Sequence, residues 1–85
     1  MEVQAAAIAL GGAQFVVVAA GMELIDNTGE ADMAIDTLVP KFGGAPVVLM
    51  AQREDGTPRY YGDANLVESL RGVPVAEMPW KSYNV

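Results

Sequence analysis

Two short runs are apolar at every position, Phe15-Val16-Val17-Val18-Ala19-Ala20 and Val47-Val48-Leu49-Met50-Ala51. Continuous apolarity with β-branched residues over five or six positions suits strands covered on both faces, so these two are predicted as the central strands of a sheet. Between them the period changes. Ala31, Ala34, Ile35, Leu38, Val39 and Phe42 recur at helical spacing, with Glu30, Asp32 and Asp36 on the opposite side. Asn27, with Glu30 three residues on, is a capping-box arrangement at the start of that helix. Pro40 lacks an N–H for the carbonyl of Asp36 and disfavours helix at Val39, so the helix ends or kinks there.

Beyond the second run, Asp55-Gly56 marks a turn and Arg59-Tyr60-Tyr61 a short returning strand. Asp63 is an N-cap for a second helix carrying Leu66, Val67 and Leu70, which Gly72 stops before Val73-Pro74. Pro74 and Pro79 predict an extended C-terminal tail over 74–85. In residues 1–10 the alanines favour helix while Val3 and Ile8 permit strand, and both remain open.

The halves are similar to each other. Gly11-Gly12-Ala13-Gln14 precedes the first apolar run as Gly43-Gly44-Ala45-Pro46 precedes the second, and Gly29-Glu30-Ala31-Asp32-Met33 resembles Gly62-Asp63-Ala64-Asn65-Leu66. If this is a repeat, each half reads strand, turn, strand, helix, with Glu23-Leu24-Ile25 as the returning strand of the first copy. Coincidence in a chain rich in Ala, Gly and Val accounts for the likeness equally well. The repeat predicts a two-layer α+β domain over residues 1–85, with a four-stranded mixed sheet from two ββα-like units and both helices on one face.

Residues 44–71, with Pro46 before an apolar strand, a Gly-containing turn and Gly62 leading into a last helix, resemble the closing strand-strand-helix of thioredoxin-fold domains. That resemblance implies a thioredoxin-like α/β alternative for the fold. The redox activity of that family is not implied, because the chain has no cysteine.

Composition narrows the chemistry. At 85 residues the core is thin, and without Cys or His neither disulfides nor a nitrogen- or sulfur-ligated metal supplements it. Oligomerisation is the remaining supplement, so a homodimer is expected. The same absences remove the common nucleophile and general-base pairings, and we expect a chain that is not an enzyme and holds no cofactor or metal. The Asp26–Asp32 stretch alternates oxygen-bearing side chains, but a calcium loop needs Gly sixth and Glu twelfth, where Ala31 and Thr37 stand. Neither Gly-Gly pair extends to a phosphate-binding pattern.

Residues 5–22 carry no charge, which approaches a membrane-spanning length, yet Gly11-Gly12 interrupts them and no Lys or Arg flanks them. Buried strand is the preferred reading, and because small secreted domains are usually disulfide-dense while this chain has no cysteine, a cytoplasmic location is expected. The net charge of −6 lies wholly in residues 1–40, which hold six acidic and no basic side chains, while residues 41–85 hold five of each. This disfavours nucleic acid and anionic membrane as partners. A decoy that imitates nucleic acid would need those acids on one exposed face. Arg59, Tyr61, Trp80, Lys81 and Tyr83 concentrate residue types enriched at protein interfaces, and they are the candidate partner-binding residues. The resulting expectation is an accessory subunit or regulator working through an unidentified protein partner, with a small-molecule-binding or degenerate thioredoxin-like domain as the alternative.

Overall fold

In the computed structural model, which describes residues 2–85, the chain forms one five-stranded mixed sheet with helices on both faces. The first half opens with a hairpin, β1 (Glu2–Leu10) and β2 (Ala13–Ala19), so the ambiguous N-terminal segment is strand. Leu10 pairs with Ala13 across Gly11 and Gly12, both at positive φ (56° and 83°). A two-residue turn of this hand needs positive φ at both central positions, which glycine adopts without a Cβ clash.

The chain then crosses to β3 (Val47–Gln52), which lies parallel to β2. Parallel neighbours cannot be joined by a tight turn, so the intervening segment must span the sheet. It does so through α1 (Met22–Asp26), α2 (Thr28–Leu38) and a 3-10 turn over Val39–Phe42. This requirement corrects one expectation: Glu23-Leu24-Ile25 is helical, inside α1, and not a returning strand. The carbonyl of Gly21 accepts from the N–H of Leu24, and Ile25 is buried. The first half therefore lacks the second strand that the proposed repeat required. The N-cap half of the capping expectation holds, since the Asn27 side chain accepts from the Glu30 N–H at 3.3 Å, but the reciprocal bond of a capping box is not made, because the Asn27 N–H donates to the Leu24 carbonyl.

β3 returns antiparallel through β4 (Pro58–Tyr61), and Asp63 caps α3 (Ala64–Ser69) by accepting from the N–H groups of Asn65 and Leu66. At the junction, a Cβ on Gly62 would stand 3.2–3.4 Å from Val48 and the Val47 carbonyl, so the chain passes directly against β3 there. Residues 74–85 are more than a tail. After a short 3-10 turn, β5 (Trp80–Asn84) pairs antiparallel with β1 and makes the sheet order β4-β3-β2-β1-β5. The sheet thus has five strands where four were expected.

Alternation along the strands feeds two cores. Ala5, Val16, Val18, Val47, Leu49 and Ala51 face α1 and α2, whereas Ala6, Ile8, Phe15, Val17, Val48 and Met50 face Leu70, Met78 and the partly buried Leu66, Val67 and Trp80. The two main helices therefore lie on opposite faces, not on one. Strands apolar at every position demand this, because a single helical layer would leave Phe15, Val17 and Val48 in water. The general α+β character stands. The strand-turn-strand-helix order of residues 44–71 is present as β3, β4 and α3.

Candidate interaction surfaces

The five candidate partner-binding residues fall at the two opposite edges of the sheet. Arg59 and Tyr61 are on β4, and Trp80, Lys81 and Tyr83 on β5. The arrangement separates them into two groups, and four of the five are engaged within the fold. Arg59 forms an ion pair with Asp26 and approaches the Met22 sulfur at 3.6 Å. The Tyr61 hydroxyl donates to Asp32 at 2.8 Å, and this bond to a carboxylate, with burial and the negative charge behind it, raises the phenol above its ordinary range. These contacts tie β4 to α1 and α2. The Trp80 indole N–H donates to the Val75 carbonyl at 2.8 Å, while Tyr83 meets the Phe42 ring edge-on at 5.2 Å between centroids. Lys81 is exposed.

Tyr60 and Tyr61 point to opposite faces, as adjacent strand residues must, but both are half-buried rather than one inside and one out. Tyr60 Oη is buried without a hydrogen-bond partner, and burial raises its phenol. It belongs to the wall of a recess of about 470 Å³ formed with Pro58, Leu70, Arg71, Pro74 and Val75. Arg71 is paired to Glu68 at 3.1 Å on the surface.

A larger groove of about 540 Å³ opens on the other face, between α2 and the sheet. Helix α1 packs over β3 and β4, and α2 over β3. Its apolar wall includes Val3, Val18, Ala20, Leu24, Met33 and Leu38, and Glu30 supplies its charged rim. Thr37 is turned back, its hydroxyl donating to the Met33 carbonyl. Met33 is 70% exposed and is the one large apolar side chain so exposed among the described residues. No run or motif in the sequence singles out this groove, whose lining mixes buried Val18, Leu38 and Leu49 with exposed and half-buried positions; Met33, an apolar residue among the exposed positions of α2, is the one signal that points to it.

Among the described residues no three acidic side chains converge as a metal site would require, and no helix is long and apolar enough to cross a membrane. The charge-free stretch of residues 5–22 is mainly the β1–β2 hairpin. No protein-family model matches the chain, and neither a curated protein nor a solved structure matches it.

Proposed function

We propose that this chain is a non-catalytic accessory subunit or regulator that works through protein-protein contact, and that the groove beside α2 is the contact surface. The carrying observation is Met33, 70% exposed at the lip of an apolar groove. Methionine is flexible and polarizable, and an exposed one over an apolar floor suits a partner's apolar side chains. Charge selects the partner further. The groove is built mainly from the half of the chain that has six acids and no cation. Asp26 and Asp32 are used by Arg59 and Tyr61, but Glu23, Glu30 and Asp36 make no side-chain bond among the described residues. The partner is accordingly an apolar segment flanked by Lys or Arg, not nucleic acid or an anionic bilayer, and the setting we assign is the cytoplasm.

The test is an amide NMR titration with amphipathic Leu/Lys peptides, with Leu/Glu peptides of equal length as control. The Leu/Lys series is expected to shift residues 18–24 and 30–38, and Met33→Glu is expected to weaken binding at least about tenfold without moving the melting temperature. Equal response to both series, or no response to either, overturns the reading. Shifts confined to Gly43–Pro46 and Tyr60–Asp63 with small molecules would support the ligand-binding alternative instead.

A further inference from the structure

The two sheet edges are protected unequally. β4 is four residues long, begins with Pro58, which has no N–H to offer, and sends Arg59 and Tyr61 to acidic groups on α1 and α2. Pro and charge are the usual means of blunting an edge. β5 is five residues long, contains no proline and carries one charge, Lys81. In an antiparallel ladder only alternate residues bond to the inner neighbour, so the intervening groups of β5 face away from β1.

We propose that β5 pairs antiparallel with β5 of a second copy about a two-fold axis at Ser82, joining two five-stranded sheets into one. The register argues for this occupant. Ser82 pairs with Gln4 on β1, and the Gln4 side-chain amide donates to the Ser82 hydroxyl at 2.6 Å. Centring the axis on Ser82 sets it against the partner's Ser82, which produces a continuous polar row of Gln4, two serines and the partner's Gln4 on that face. On the other face Lys81 stands against the partner's Tyr83, and Tyr83 against the partner's Lys81. Each ammonium then lies beside a phenol ring, and the two lysines are offset from each other by two residues. No like charges meet directly, although each chain carries −6. An isologous contact of this kind closes at two subunits. The Trp80 N–H is already given to the Met78 carbonyl and Asn84 is itself engaged within the fold, so the added ladder rests on the centre of β5 and the dimer is a weak one.

The chain has no cysteine, which makes cross-linking decisive. Antiparallel partners directly opposite have Cα atoms about 4.5–5.5 Å apart, within disulfide reach, whereas diagonal positions stand about 7–8 Å apart and outside it. Under mild oxidation Ser82→Cys is expected to form a covalent dimer at least about tenfold faster than Lys81→Cys or Asn84→Cys. By sedimentation equilibrium from about 5 to about 500 µM, the unsubstituted chain is expected to rise in mass from 9.0 kDa towards twice that value. Ser82→Lys, which places like charges face to face at an exposed position, is expected to remain monomeric while keeping a cooperative thermal transition, lowered only by the loss of the exposed Gln4 hydrogen bond. A chain that stays monomeric throughout, Ser82→Lys dimerising like the parent, or equal cross-linking at all three positions would each overturn the proposal. None of these outcomes bears on the groove beside α2.

Discussion

Tyr60 carries the one buried side-chain polar atom without a partner among the described residues. A buried hydroxyl that bonds to nothing forfeits its hydration without recompense, at roughly 1–3 kcal/mol, and the ring itself packs against the buried cluster that contains Val48, Met50 and Leu70. Tyr60→Phe removes the hydroxyl and keeps the ring. Urea denaturation is expected to show stability unchanged or raised by about 1 kcal/mol, and a loss above about 1 kcal/mol would show that the hydroxyl has a partner after all. The same burial gives the group a pH signature. Its folded pKa is raised, so its contribution is fully present below the unfolded value near 10 and is lost as the pH climbs through the folded one. Tyr61 contributes with the same sign, through Asp32.

At the scale of elements, β5 is the piece whose removal says most. It pairs with β1 along its length, and Trp80 packs into the core formed by Leu70 and Met78. Ending the chain at Pro79 exposes that core and bares β1 as a new edge. Loss of a fully buried large aromatic costs about 3–5 kcal/mol and loss of the partly buried Trp80 part of that, to which the lost β1–β5 ladder adds, against the roughly 5–15 kcal/mol typical of small domains. The truncated chain is expected to lose its cooperative thermal transition, and an unchanged transition would show that β5 is dispensable. Neither this strand nor the placement of helices was legible in the sequence. Trp80–Asn84 has no alternation of its own, and its strand character arises only from β1, some eighty residues earlier in the chain. Glu23–Ile25 is too short to show a period, so a strand and a helical turn read alike until the parallel pairing of β2 and β3 makes a crossover obligatory. By contrast, α2 was legible at both ends through Asn27 and Pro40, α3 through Asp63, and β2 and β3 through unbroken apolar runs. The groove was illegible for a related reason, since it reflects which strands α2 covers, a property of packing angle rather than of any residue.

Across the whole molecule, charge and contact surface sort into two regions with opposite demands. The acidic half forms the groove, with Glu30 on its rim, while the proposed two-fold at Ser82 brings together chains that each carry −6. Salt acts on these in opposite directions. Screening shortens the Debye length from about 30 Å at 0.01 M to about 8 Å at 0.15 M, which weakens attraction between the acidic rim and a basic segment and equally relieves repulsion between two like-charged subunits. Raising ionic strength over that range is therefore expected to lower the affinity for a Leu/Lys peptide several-fold and to raise the dimer fraction at fixed chain concentration. Peptide titration and sedimentation in the same buffers measure both. Peptide binding indifferent to salt would mean that apolar contact alone drives it and that the acidic half has no part in choosing the partner. A dimer that weakens with salt would place acidic groups against cations across the interface, which a two-fold at Ser82 does not do.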